Sequence, residues 1–72
     1  MNQLTEFQKL LVRLLKGLKV DKAAILFIIL ALESDSAQGA MALFIKDNPQ
    51  ATHEELMQAA VDYQQIAEEL NL

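Results

Sequence analysis

The chain has 72 residues, 53% hydrophobic and 22% charged, and it contains no cysteine. This length allows one domain near the lower limit at which a core supports itself, and the composition excludes an intrinsically disordered chain. Without cysteine, disulfides and thiolate metal sites are excluded, and this absence fits a protein of the reducing cytoplasm. From the length we expect a single domain over residues 1–72. The net charge of −4 is uneven, with +3 over residues 1–22 and −7 over residues 23–72.

The first predicted helix covers about residues 3–17. Thr5 and Gln8 have the spacing of a capping box, in which each side chain binds the backbone N–H of the other residue. Large apolar residues then recur every three or four positions, which places them on one helix face: Leu4, Phe7, Leu11, Leu14 and Leu18. Gly17 stands where a left-handed C-cap is expected, because glycine takes a positive φ without steric cost.

The second predicted helix covers about residues 22–33 and contains ten consecutive apolar residues, AAILFIILAL. Asp21 is its predicted N-cap. Ten residues point in every direction around a helix, so this helix has no polar face. We therefore expect helix 2 to be central and buried, enclosed by the other helices and in part by a second chain.

Two other interpretations of the apolar run are weaker. A membrane span needs about 20 apolar residues, whereas charged residues bound this run after ten. The hydrophobic region of a signal peptide has a suitable length. However, the 22 residues before the run include a well-capped amphipathic helix, which is untypical of a signal peptide.

The third predicted helix covers about residues 36–47. Asp35 and Gln38 have the spacing of a cap at its start. Pro49 ends it, because the residue before a proline is displaced from the α region. The predicted inward residues are Ala37, Ala40, Met41, Phe44 and Ile45.

The fourth predicted helix covers about residues 53–70 and begins with a second capping box, Thr52 with Glu55. Its predicted inward stripe is Leu56, Ala59, Tyr63, Ile66 and Leu70. No strand pattern or glycine-rich loop competes with helix formation. The sequence therefore predicts an all-α fold, a compact bundle of four short helices.

Residues that could perform chemistry are few. His53 is the only histidine, and it lies in a predicted first turn beside Glu54 and Glu55. One histidine in this place provides neither the paired ligands of a zinc helix nor a base for a nucleophile. We expect no enzymatic activity, no cofactor, no metal and no small-molecule substrate.

Apolar surface exceeds what one short chain can cover, and such an excess favours association. We expect a non-enzymatic interaction or regulatory module that pairs with itself as a homodimer or binds another helical protein. The candidate apolar interface residues come from helices 1 and 2: Phe7, Leu11, Leu14, Leu18, Ile28 and Ile29. Three cations on helix 1 would border them: Lys9, Arg13 and Lys16.

Helix 1 also supports an alternative function, because a basic amphipathic helix is typical of proteins that bind an anionic membrane or another anionic surface. The competing interpretation is that its leucines belong to the core and its cations meet the acidic helix 4 or solvent. Nucleic-acid binding is disfavoured. Helix 3 offers only Gln38, Lys46 and Asn48 as donors, beside two aspartates, and phosphate contacts dominate DNA affinity.

Overall fold

The computed structural model describes residues 4–71. Four α-helices follow in chain order: α1 (Glu6–Gly17), α2 (Lys22–Ala31), α3 (Asp35–Asp47) and α4 (His53–Glu69). The prediction of a four-helix, all-α bundle is confirmed. The predicted start of helix 1, at about residue 3, lies outside the described residues, as do the ends of the predicted domain, residues 1–3 and Leu72.

Three of the helices begin with the caps that the sequence predicts. The Thr5 hydroxyl accepts the Gln8 N–H at 3.1 Å, and the Gln8 side chain accepts the Thr5 N–H at 2.9 Å. Thr52 and Glu55 make the same two bonds at 3.1 and 2.8 Å. The Asp21 carboxylate accepts a backbone N–H of the first turn of α2 at 2.8 Å. These bonds join residues three positions apart, so each depends on local sequence alone.

The end of α1 differs from the prediction. Gly17 is the last helical residue, and the residue with a left-handed conformation is Lys19, with φ of 64°. The Lys19 N–H donates to the Lys16 carbonyl at 2.9 Å and the Val20 N–H donates to the Leu15 carbonyl at 3.1 Å, as in a Schellman motif. Val20 and Leu15 are both buried in the core. The predicted Gly17 C-cap is therefore wrong by two residues, and the burial of Val20 accounts for the later turn.

The helices pack as a four-membered ring. α1 packs against α2 and α3, and α4 packs against the same two helices. Thus α1 and α4 occupy opposite corners, as do α2 and α3. The Cα atoms extend over 32 × 29 × 18 Å, so the thinnest direction accommodates two helix layers. The largest fully buried side chains lie inside the ring: Leu11, Leu15, Ile28, Leu32, Met41 and Leu56.

α2 lies at a corner of this ring and not at its centre. The predicted burial of helix 2 holds for one face, formed by Ala24, Ile25, Ile28 and Ile29. The opposite face is exposed, by 59% at Leu26, 46% at Phe27 and 68% at Leu30. A corner helix has two neighbours, which cover only part of its circumference. One face of α2 is therefore both apolar and exposed.

α4 is rotated relative to the predicted stripe. Leu56 is buried as predicted and Tyr63 is half-buried, with its ring 6.1 Å from the Phe44 ring in an edge-to-face arrangement. Ile66 and Leu70, however, are exposed. The positions that face the core instead carry small or polar side chains: Ala60, Gln64 and Ala67.

Gln64 is buried because it holds the turn between α2 and α3. Its Oε1 accepts the N–H groups of Glu33 and Ser34 at 2.9 Å each, and its Nε2 donates to the Ser34 hydroxyl at 3.1 Å. Ser34 is the N-cap of α3, but its side chain makes no capping bond to the helix. Asp35 is the first residue of α3 and not its cap, so the predicted cap is wrong by one residue.

Gln38 supports the same turn from α3. The sequence suggests a capping role for this side chain, but it is buried, and its Nε2 donates to the Leu32 carbonyl at 2.9 Å. Among residues 4–71, its Oε1 finds no hydrogen-bond partner. Two glutamines from different helices therefore bind the backbone of one three-residue connection.

Candidate interaction surfaces

Within residues 4–71, no group of three His, Asp or Glu side chains is placed to hold a metal ion. His53 is exposed at the start of α4, with its Nδ1 3.9 Å from an oxygen of the exposed Asp21 carboxylate. No nucleophile is hydrogen-bonded to this pair among the described contacts, as acid–base catalysis at a hydroxyl or thiol would require. In the described part of the chain, every helix is too short or too polar to cross a bilayer.

The structure separates the predicted interface residues into three groups. Those exposed on α1 are Phe7, Lys9, Arg13 and Lys16. Those half-buried against the core are Leu14 and Leu18. Those buried inside the ring are Leu11, Ile28 and Ile29. This last group cannot contact another molecule while the chain is folded, so its assignment to an interface is corrected to the core.

An apolar groove lies between α1 and α3. It has a volume of about 540 Å³ and is lined by Phe7, Leu10, Leu14, Ser36, Gly39, Ala40, Ala42, Leu43 and Lys46. The α3 side is mainly small residues: a Cβ added at Gly39 would lie 3.3 Å from Cζ of Phe7, so the Phe7 ring rests close to the α3 backbone. Leu43, on the rim, is 64% exposed. We name this surface the α1/α3 groove.

The exposed face of α2 forms a second apolar surface. Leu26 and Leu30 are one helical turn apart, and we name them, together with Phe27, the α2 ridge. Phe27 also lines a shallow hollow of about 520 Å³ between α2 and α4. The other residues of this hollow are Glu54, Met57, Gln58 and Val61.

The groove and the hollow beside the ridge lie on opposite sides of the ring, because one is between α1 and α3 and the other between α2 and α4. The charge that lines the groove is that of Lys46, and the charge that lines the hollow is that of Glu54. The groove and the hollow therefore carry charges of opposite sign, while Lys22, one turn before Leu26, adds a cation at the start of the ridge.

The charged residues of the helices are divided in the same way, with a basic α1 and an acidic α4. α1 carries three cations and one carboxylate, whereas α4 carries five carboxylates and no lysine or arginine. Among residues 4–71, Lys9 and Glu6 form an ion pair within α1 at 3.4 Å, and Nδ1 of His53 lies 3.9 Å from the Asp21 carboxylate. Because α1 and α4 occupy opposite corners, the cations of helix 1 meet solvent and not the acidic helix 4.

Sequence reasoning missed most of these surface residues. Leu10 and Leu43 in the groove, and all three residues of the ridge, are not among the predicted interface positions. The signal that could have found Leu43 is its position outside the inward stripe of helix 3, since an apolar residue there has no core to enter. The ridge gave no such signal, because a uniformly apolar helix has no stripe.

Comparison of the chain with protein-family models, with curated proteins and with solved structures found no match.

Proposed function

We propose that this protein is a small, non-enzymatic interaction module that associates with copies of itself. The observation that carries the proposal is the α2 ridge, where three large apolar side chains remain about half or more exposed in one copy of the chain. The α1/α3 groove adds a second apolar surface on the opposite side. Large contiguous apolar patches on soluble proteins are typical of interaction sites.

The energetics favour covering the ridge. Complete transfer of one leucine or phenylalanine side chain from water to an apolar environment contributes about 1.5–3 kcal/mol. The whole domain is expected to be stable by only about 4–11 kcal/mol at this length. Contact between copies would therefore add a substantial share to the stability of a chain that has no disulfide.

A second copy is a suitable partner because each chain carries two different apolar surfaces, and the charges that line the groove and the hollow beside the ridge differ in sign. Lys46 lies in the groove and Glu54 lies beside the ridge. Electrostatic complementarity of this kind favours a specific encounter over nonspecific aggregation. No additional partner is needed to supply either half of the contact.

Gel filtration coupled to light scattering tests the proposal. We expect the mass to exceed the 8.1 kDa of one chain and to rise from low to high micromolar concentration. Combined Leu26→Gln and Leu30→Gln substitutions should lower the mass to that of one chain. Leu70→Gln is the matched control, because Leu70 is 62% exposed but lines neither the groove nor the hollow. A wild-type chain that stays monomeric at high micromolar concentration contradicts the proposal.

A second candidate function is peripheral binding to an anionic membrane. It is favoured by the exposure of three cations on α1, Lys9, Arg13 and Lys16. The main apolar side chains of α1, Leu11 and Leu15, are buried, so a bilayer would meet only the exposed edge of the helix. Co-sedimentation with anionic vesicles tests it: binding that is absent with neutral vesicles and lost in a Lys9→Gln, Arg13→Gln double variant would support this candidate.

A further inference from the structure

We propose that copies of this chain associate head to tail, with the α2 ridge of one copy seated in the α1/α3 groove of the next. This inference rests on the proposed self-association and specifies which surfaces meet. The occupant of the groove is thus a second copy of the same chain, and each copy contributes two different surfaces.

Shape is the first argument. The ridge presents Leu26 and Leu30, two large side chains spaced by one helical turn. The groove offers about 540 Å³ between the side chains of α1 and a surface of α3 that includes Gly39 and two alanines. Gly39 lies beneath the Phe7 ring and Ala42 is buried, so short side chains form the floor of the groove and leave room for the large side chains of a ridge. Two grooves placed face to face would leave a void between them.

Charge is the second argument, and it distinguishes head-to-tail contact from contact between identical surfaces. Head-to-tail contact brings Lys46 of one copy towards Glu54 of the other. Groove-to-groove contact would bring two copies of Lys46 together and the cations of both α1 helices near them. Ridge-to-ridge contact would bring together the two copies of Lys22 and the two hollows, each of which carries Glu54. Like charges placed together oppose association, so both symmetric arrangements are disfavoured.

The position of the two surfaces has a consequence for assembly size. Because α1 and α3 form the groove and α2 alone forms the ridge, a head-to-tail pair keeps one free ridge and one free groove. A contact between different surfaces continues until the copies close into a ring or extend as a filament. The assembly should therefore grow beyond two chains as the protein concentration rises.

A complementation experiment tests this geometry. The groove variant carries Leu10→Gln and Leu43→Gln, and the ridge variant carries Leu26→Gln and Leu30→Gln. All four leucines are exposed, and glutamine is a good helix former, so both variants should keep the helical circular dichroism of the wild type. Should a double variant lose this signal, the single substitutions Leu43→Gln and Leu30→Gln make the same comparison at the most exposed position of each surface.

Light scattering on the separate and mixed variants gives the result. We expect each variant alone to be monomeric at concentrations where the wild type assembles. An equimolar mixture should form a dimer of twice the 8.1 kDa chain mass and nothing larger. The reason is that the intact ridge of the groove variant can enter the intact groove of the ridge variant, and the remaining surfaces are both blocked.

The contrary outcomes separate this inference from the proposed function. A groove variant or ridge variant that still dimerises alone shows contact between identical surfaces, and it overturns the head-to-tail geometry while self-association stands. A mixture that remains monomeric also overturns the geometry. A wild-type chain that never exceeds one chain mass overturns the self-association on which the geometry rests.

Charge reversal supplies an independent check. Lys46→Glu or Glu54→Lys alone should weaken wild-type association about two- to fivefold, the range for an exposed ion pair. The two reversals together should restore it. Glu69→Lys is the control, because it changes the net charge as much as Glu54→Lys but does not line the hollow. Equal weakening by Glu69→Lys, or no recovery in the double reversal, contradicts the pairing of Lys46 with Glu54.

Discussion

α1 and α2 pack against each other but bury their apolar side chains to different extents. α1 is amphipathic, and it buries Leu11 and Leu15 while its cations face solvent. Over residues 23–31, α2 is apolar on every side, yet it buries only the face that meets α1 and α4. The contrast shows that the apolar content of a helix does not decide how much of it is buried. Each of the two helices has two neighbouring helices, and only the face that meets them is buried.

The same contrast explains where the exposed apolar surfaces lie. In α1, polar residues occupy most of the outward face, so only its edge, at Phe7 and Leu10, contributes to the groove. In α2, the polar residue is Lys22 at the start of the helix, and the rest of the outward face is apolar and becomes the ridge. The proposed contact therefore joins the exposed edge of one helix to the uncovered face of the other.

The largest expected effect distinguishes the two faces of α2. Ile28→Ala should lower the free energy of unfolding by about 2–5 kcal/mol, because it creates a cavity in the core. Leu30→Ala, on the exposed face, should change it by less than about 0.5 kcal/mol. Urea denaturation followed by circular dichroism at low micromolar concentration measures both. Equal losses would mean that both faces of α2 are enclosed.

A smaller effect is expected where α4 holds the C-terminal end of α2. Gln64→Ala should cost about 2–3 kcal/mol of unfolding free energy, because the N–H groups of Glu33 and Ser34 lose their acceptor. Gln65→Ala is the control: Gln65 is exposed, and within residues 4–71 its amide bonds only to Glu69, at 3.5 Å. Denaturation of the two variants under identical conditions should differ clearly, and similar values would contradict the role of Gln64.

At the end of α1, two substitutions are expected to raise the free energy of unfolding. Gly17→Ala should stabilise the protein by about 0.5–1 kcal/mol, since Gly17 is helical and an added Cβ meets no atom within 4 Å. Lys19→Gly should also stabilise it, by up to about 1 kcal/mol, by removing a left-handed lysine. Thermal unfolding measures both changes. Destabilisation by Gly17→Ala would place the left-handed residue at Gly17.

The smallest effect concerns the approach of α1 to α3. Gly39→Ala should gain helix propensity of up to about 1 kcal/mol. Part of this gain is lost because the Phe7 ring, 3.3 Å from the added Cβ, must shift by a few tenths of an ångström. We expect a net change in unfolding free energy within about 0.5 kcal/mol, measured by urea denaturation. A loss above 1 kcal/mol would show that Phe7 is more tightly held than its exposure indicates.

Short-range signals accounted for the parts of the fold that were predicted correctly. Thr5 with Gln8 and Thr52 with Glu55 identify two helix starts, because both partners of each hydrogen bond lie within one turn. The inward residues Met41 and Ile45 of α3 were also correct, since helical periodicity alone places them on one face. The candidate site is less predictable: of the predicted interface residues, Phe7 and Leu14 line the groove.

The sequence by itself determined that this protein is a set of four capped helices with more apolar surface than one small core needs. Only the tertiary structure decided the order of the helices around the ring, which face of α2 is exposed, and the burial of the Gln64 side chain. The physical reason is separation along the chain: a cap is made by residues three apart, whereas Gln64 binds backbone groups 30 and 31 positions away. Burial of a uniformly apolar helix likewise depends on which helices pack beside it.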